Sequence, residues 1–83
     1  MKALDTIREY RTLWALVLPH ITTPGPEDVA RWCDYPTEAV EHAILRTAKR
    51  FAREKVKPGF DPLTAYKYAT ATARSIAEQT NTA

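Results

Sequence analysis

VEHAILRTAKRFAREKVK, residues 40–57, decides the fold, because it carries two stripes at one helical period. Turning about 100° per residue, Val40, Ala43, Ile44, Thr47, Ala48 and Phe51 fall along one side. His42, Arg46, Lys49, Arg50 and Arg53 fall along roughly the opposite side. An apolar stripe backed by charge is the pattern of a helix lying on a core. The charge is also concentrated. Residues 42–57 hold Arg46, Lys49, Arg50, Arg53, Lys55 and Lys57 against the single acid Glu54, a local charge of +5. Residues 1–41 hold Lys2, Arg8, Arg11 and Arg31 against seven acids, a local charge of −3. In the remainder Lys67 and Arg74 balance Asp61 and Glu78, so the net +2 of the chain hides a polarised molecule.

Outward from this stretch the same period recurs. Leu4, Ile7, Tyr10, Trp14, Val17 and Leu18 predict a first helix over about 3–18, closed by Pro19. Thr23 as N-cap with Pro24 at the first helical position, then Glu27 and Asp28 near the positive end of the dipole, predict a second over about 24–34. Its apolar residues are Val29, Ala30, Trp32 and Cys33. Tyr35-Pro36 breaks the chain, and the third helix is expected over about 36–54. After the Pro58-Gly59 turn, Asp61-Pro62 opens a fourth helix over about 62–79, striped by Leu63, Tyr66, Ala69, Ala73, Ile76 and Ala77. Its alanines suit close approach of another helix. The chain has only two glycines, and no segment alternates with period two long enough for a strand. The expectation is an all-α bundle of about four helices, one domain over 1–83, with a helix-turn-helix-like second and third helix.

Eighty-three residues, 45% apolar and 27% charged, suit an ordinary globular domain with a modest core. The apolar run Leu13–Leu18 is too short to span a bilayer, and Asp5 and Glu9 follow Met1-Lys2 where a signal peptide would be apolar. One cysteine, Cys33, forms no internal disulfide and fits a reducing, cytoplasmic setting.

Pro26 to Leu45 can be read as a helix-turn-helix, with Val29, Ala30, Cys33, Val40 and Ala43 or Ile44 at suitable apolar positions. The front of its second helix offers Thr37, Glu38, Glu41 and His42, and paired carboxylates are repelled by a phosphate-lined groove. Two packed helices joined by a short turn is the plainer reading.

The run Thr23-Pro24…Val29…Trp32…Tyr35-Pro36-Thr37-Glu38-Ala39-Val40-Glu41-His42-Ala43-Ile44…Ala48, followed by Tyr66-Lys67-Tyr68-Ala69, resembles the C-terminal helical domain of DnaD-type primosomal replication proteins. Related segments occur in phage and plasmid replication-initiation proteins. The resemblance spans about residues 22–77. Tyr68 stands at the family's tyrosine, with Thr72 and Ile76 where the family has isoleucine and tryptophan. The kinship implies DNA binding without strong sequence preference and assembly with other replication proteins.

The functional expectation is a nucleic-acid-binding module that grips the phosphate backbone of single- or double-stranded DNA. The residues that carry it are His42, Arg46, Lys49, Arg50, Arg53, Lys55 and Lys57, with Lys67 and Arg74 if the fourth helix packs alongside. A solvated helix face whose cations complement the macrodipole would hold many of the same residues. The alternative is a protein-interaction module or small homo-oligomer without a nucleic-acid role. For it speak the opposed −3 and +5 regions and the wide stripe made by Leu13 and Leu16. Trp14, Trp32, Phe51 and Tyr66 are expected in the core; Tyr35, Phe60 and Tyr68 are less clearly placed by their spacing, with stacking on a base the lesser of their two readings. Catalysis, cofactors and metals are not expected. Cys33 with His42 is the sole nucleophile–base pair, Cys33 falls at an apolar position, and no Gly-rich phosphate loop or metal-ligand spacing exists.

Overall fold

A computed structural model of the chain describes residues 2–81, and within that range the protein is all-α. Helix α1 is Lys2–Val17 and α2 is Pro26–Ala30, continued by a tighter 3-10 turn over Arg31–Asp34. Helix α3 is Thr37–Arg50, followed by a 3-10 turn over Arg53–Lys55, and α4 is Pro62–Asn81. Helix α1 packs on α2 and α3, and α4 packs chiefly along α3.

The core is aromatic at its centre. Tyr10 and Trp14 of α1, Leu18 just past its end, Val29, and Trp32 are almost wholly buried. The rings of Trp14 and Trp32 lie 6.0 Å apart, and Tyr66 of α4 meets Trp14 edge-on at 5.4 Å. Each indole N–H finds an acceptor: Trp14 Nε1 donates to the Ile21 carbonyl and Trp32 Nε1 to Thr70 Oγ at 2.8 Å. The Tyr66 hydroxyl donates to the Thr22 carbonyl, tying α4 to the segment between α1 and α2.

On α4 the residues that turn inward are Ala65, Ala69, Ala73 and Ala77, spaced by four so that they share one face. Leu63, expected on that stripe, is 52% exposed, and Leu4 at the outer end of α1 is 61% exposed. The inner side of α3 agrees with its periodicity. Val40, Ala43, Ile44 and Thr47 are buried, and the Thr47 hydroxyl donates to the Ala43 carbonyl one turn back at 2.7 Å.

Two helix ends differ from expectation. Helix α2 begins at Pro26 with Gly25 as its N-cap, two residues after Pro24. Pro24 is buried, and its carbonyl accepts from the Arg11 guanidinium at 3.1 Å, which fixes the preceding segment against α1. Helix α3 begins at Thr37 and stops at Arg50, not near Glu54. Phe51 leaves the helical conformation (φ −113°, ψ 45°) to meet Phe60 at 5.3 Å and Tyr68 edge-on at 5.5 Å. Its carbonyl hydrogen-bonds to His20 Nε2 at 2.6 Å. The start of α4 is as the sequence predicts. Asp61 Oδ1 accepts from the Leu63 N–H, and Pro62 occupies the first helical position. Gly59 (φ 89°) makes the turn before it.

Candidate nucleic-acid interface

Because Val40, Ala43, Ile44 and Thr47 hold one side of α3 against the core, its opposite side is forced into solvent. His42, Arg46, Lys49 and Arg50 are all exposed there. His42, Arg46 and Lys49 rim a groove of about 650 Å³ whose floor is apolar: Val17, Leu45, Ala48 and Ala52. Arg53 does not extend this helical face. With α3 ending at Arg50, Arg53 lies in the following 3-10 turn, exposed beside Glu54 and Lys55. The Lys55 ammonium comes within 3.5 Å of the Lys49 carbonyl, where it meets the negative end of the α3 dipole. Lys57 is exposed ahead of the Pro58-Gly59 turn.

Lys67 and Arg74 stand elsewhere. They line a second groove of about 450 Å³, between α4 and the α2 segment, together with Asp28, Arg31 and Trp32. The two grooves share no residue. Arg74 is ion-paired to Glu78 at 3.2 Å, with both side chains largely in water. The expected nine-residue cluster is therefore two groups: seven cations and potential cations on and after α3, and a mixed-sign groove on α4. Arg31 belongs to the second group and was missed in the sequence, where it is one isolated cation in an acidic half.

Among the described residues, no carboxylate lies within ion-pair distance of Arg46, Lys49, Arg50, Arg53, Lys55 or Lys57. Glu38 and Glu41 sit at the opposite end of the same outer face, where with His42 and Leu45 they border a hollow of about 280 Å³. The outer face of α3 thus runs from acid to base along its length, with Leu45 (47% exposed) between.

The four aromatic residues expected in the core lie in it or against it. Trp14 and Trp32 are core, and Phe51 and Tyr66 are half-buried against it. Phe60 and Tyr68 are engaged with the Phe51 ring, so stacking on a base would have to displace that packing. Tyr35 is half-buried in the second groove.

Cys33 is half-buried and its thiol faces the Val29 carbonyl at 4.0 Å. Burial, with a contribution from Asp34, pushes its pKa up, which suppresses the thiolate a nucleophile needs. Among the described residues no group of three or more His, Cys, Asp or Glu is placed to hold a metal ion, and no helix is long and apolar enough to cross a membrane. Compared with known proteins, the chain matches no family model, no curated protein and no solved structure.

Proposed function

We propose that this chain is a small nucleic-acid-binding module that grips the phosphate backbone of DNA with the C-terminal half of α3 and the turn after it. The observation that carries this reading is the set Arg46, Lys49, Arg50, Arg53, Lys55 and Lys57, exposed and, among the described residues, unpaired with carboxylates. Complementing the helix dipole does not account for the set, since that effect is confined to the last turn of a helix. Lys49 and Arg50 lie in that turn and Lys55 reaches it. Arg46 lies a turn earlier, and Arg53 and Lys57 lie past the helix end. A surface built only for solubility would also intersperse its signs.

Glu38 and Glu41 at the front of α3 argue against insertion of that helix end into a DNA groove, so contact is to phosphates and carries little sequence preference. The likeness to DnaD-type domains supplies the setting: an accessory of DNA replication on a chromosome, phage or plasmid, in company with other replication proteins.

Fluorescence anisotropy with single- and double-stranded oligonucleotides across a salt series tests the reading. With four to six phosphate contacts, the log–log slope of affinity against salt is expected at about −3 to −5. Arg46→Glu with Arg53→Glu should lose binding while its helical circular dichroism is kept. Unchanged affinity in that double variant would remove the proposal.

A further inference from the structure

The two hollows on the outer face of α3 lie on either side of one leucine, and they carry opposite charge. Leu45 and His42 line both. Toward the N-terminus the hollow is closed by Glu38 and Glu41, and toward the C-terminus the groove is rimmed by Arg46 and Lys49. On a regular helix, residues four before and four after Leu45 sit about 6 Å from it along the axis and about 40° to either side. Those residues are Glu41 and Lys49. The face is therefore its own complement when reversed end to end.

We infer that the outer face of α3 is the contact between two copies of this chain, packed antiparallel about a two-fold axis at Leu45. In that arrangement the Leu45 side chains of the two copies meet at the axis. The basic groove of each copy, floored by Val17, Ala48 and Ala52, receives the acidic end of the other. Lys49 of one copy comes level with Glu41 of the second and within reach of its Glu38. The contact is isologous, so every favourable pair occurs twice and the assembly closes at two. Charge complementarity singles out a second copy over an unrelated acidic helix. An acidic helix would satisfy Arg46 and Lys49 but leave Glu38 and Glu41 facing no cation, whereas the reversed copy answers both ends. Arg50 points about 140° away from Leu45 on a regular helix, so it stays outside the contact together with the turn that follows α3.

Sedimentation of the chain without nucleic acid, over a concentration series at low and at high salt, reads the result. The chain should sediment as a dimer that weakens with salt. Leu45→Glu should be monomeric with its helical circular dichroism retained. Two charge-reversed variants give the sharper test: Glu38→Lys with Glu41→Lys, and Arg46→Glu with Lys49→Glu. Each alone opposes like charges across the axis and should weaken the dimer about tenfold or more, whereas an equal mixture of the two should restore it as a heterodimer. A parent chain that stays monomeric at every concentration overturns the inference. So does a mixture no more associated than its components, which would assign any self-association to another face. Arg46 and Lys49 cannot hold a carboxylate and a phosphate at once, so in the dimer phosphate binding rests on Arg50, Arg53, Lys55 and Lys57, and it is measured separately with oligonucleotides.

Discussion

The inner and outer sides of α3 come from the same fourteen residues but obey different constraints. On the inner side Val40, Ala43, Ile44 and Thr47 are each 1% exposed or less. On the outer side Glu41, His42, Leu45, Arg46 and Lys49 stand in water. Every inner position is bounded by neighbours, so its size and polarity are dictated by packing. Thr47, the only buried polar residue there, is tolerated because its hydroxyl reaches the Ala43 carbonyl. The outer positions touch little, and the fold accepts almost any polar residue there. Acids at the front and bases at the back of α3 suit its macrodipole, whereas the exposed Leu45 between them is not something the fold demanded.

The comparison breaks first if the core does not dominate stability. Trp14 is fully buried, packed on Trp32 and Tyr66, and bonded through its indole to the Ile21 carbonyl. Trp14→Ala should cost about 3–5 kcal/mol, a fall in Tm of roughly 15 °C or more by thermal circular dichroism. A loss under about 1 kcal/mol would mean that this aromatic centre is not the core.

A smaller effect of opposite sign is expected at Tyr10. Its ring lies 6.5 Å from that of Trp32 and is buried, but among the described residues its hydroxyl has no hydrogen-bond partner of good geometry. Burial pushes the phenol above its ordinary pKa of 10.0, and the Thr37 side chain only partly offsets this. Tyr66 is raised as well, by burial and then by Asp28 and Asp61. A raised pKa means that the folded state favours the neutral phenol. The stability this represents is intact below about pH 10 and is lost as pH climbs through the folded-state values. Tyr10→Phe should therefore gain about 1 kcal/mol at neutral pH and lose less stability in alkali than the parent, leaving the Tyr66 contribution in place. Urea melts at neutral and alkaline pH read both effects. A destabilised phenylalanine variant would mean that the hydroxyl is satisfied in the folded protein.

What could be read from the sequence follows the same division. The inner stripe of α3 was legible because burial imposes a period, and so was the Asp61-Pro62 start of α4, because capping is local chemistry. The end of α3 was not. Nothing between Arg50 and Pro58 stops a helix, and the stop is made by Phe51 turning to Phe60 and Tyr68 while His20, 31 residues earlier in the chain, takes its carbonyl. The start of α2 was hidden for a similar reason, since Pro24 is held by Arg11 across the core edge. Of the candidate site, the basic run was visible as composition. Its separation from Lys67 and Arg74 depended on which side of α4 faces α3, and the alanine spacing did not reveal that Leu63 lies outside the stripe.

The smallest expected effect is the most pointed. Arg46→Ala and Lys49→Ala, made singly and measured at concentrations where the chain is a monomer, should each leave folding stability within about 0.5 kcal/mol of the parent, because within one copy neither side chain is buried or, among the described residues, ion-paired. Each should nonetheless weaken binding to oligonucleotides of any sequence and reduce the salt slope by about one. Thermal melts and anisotropy on the same preparations separate these quantities. A loss of more than about 1.5 kcal/mol in stability would show that the charges are structural, and the outer face of α3 would then be as constrained as the inner. If stability is untouched while affinity falls, the residues that the fold can do without are the ones that DNA cannot.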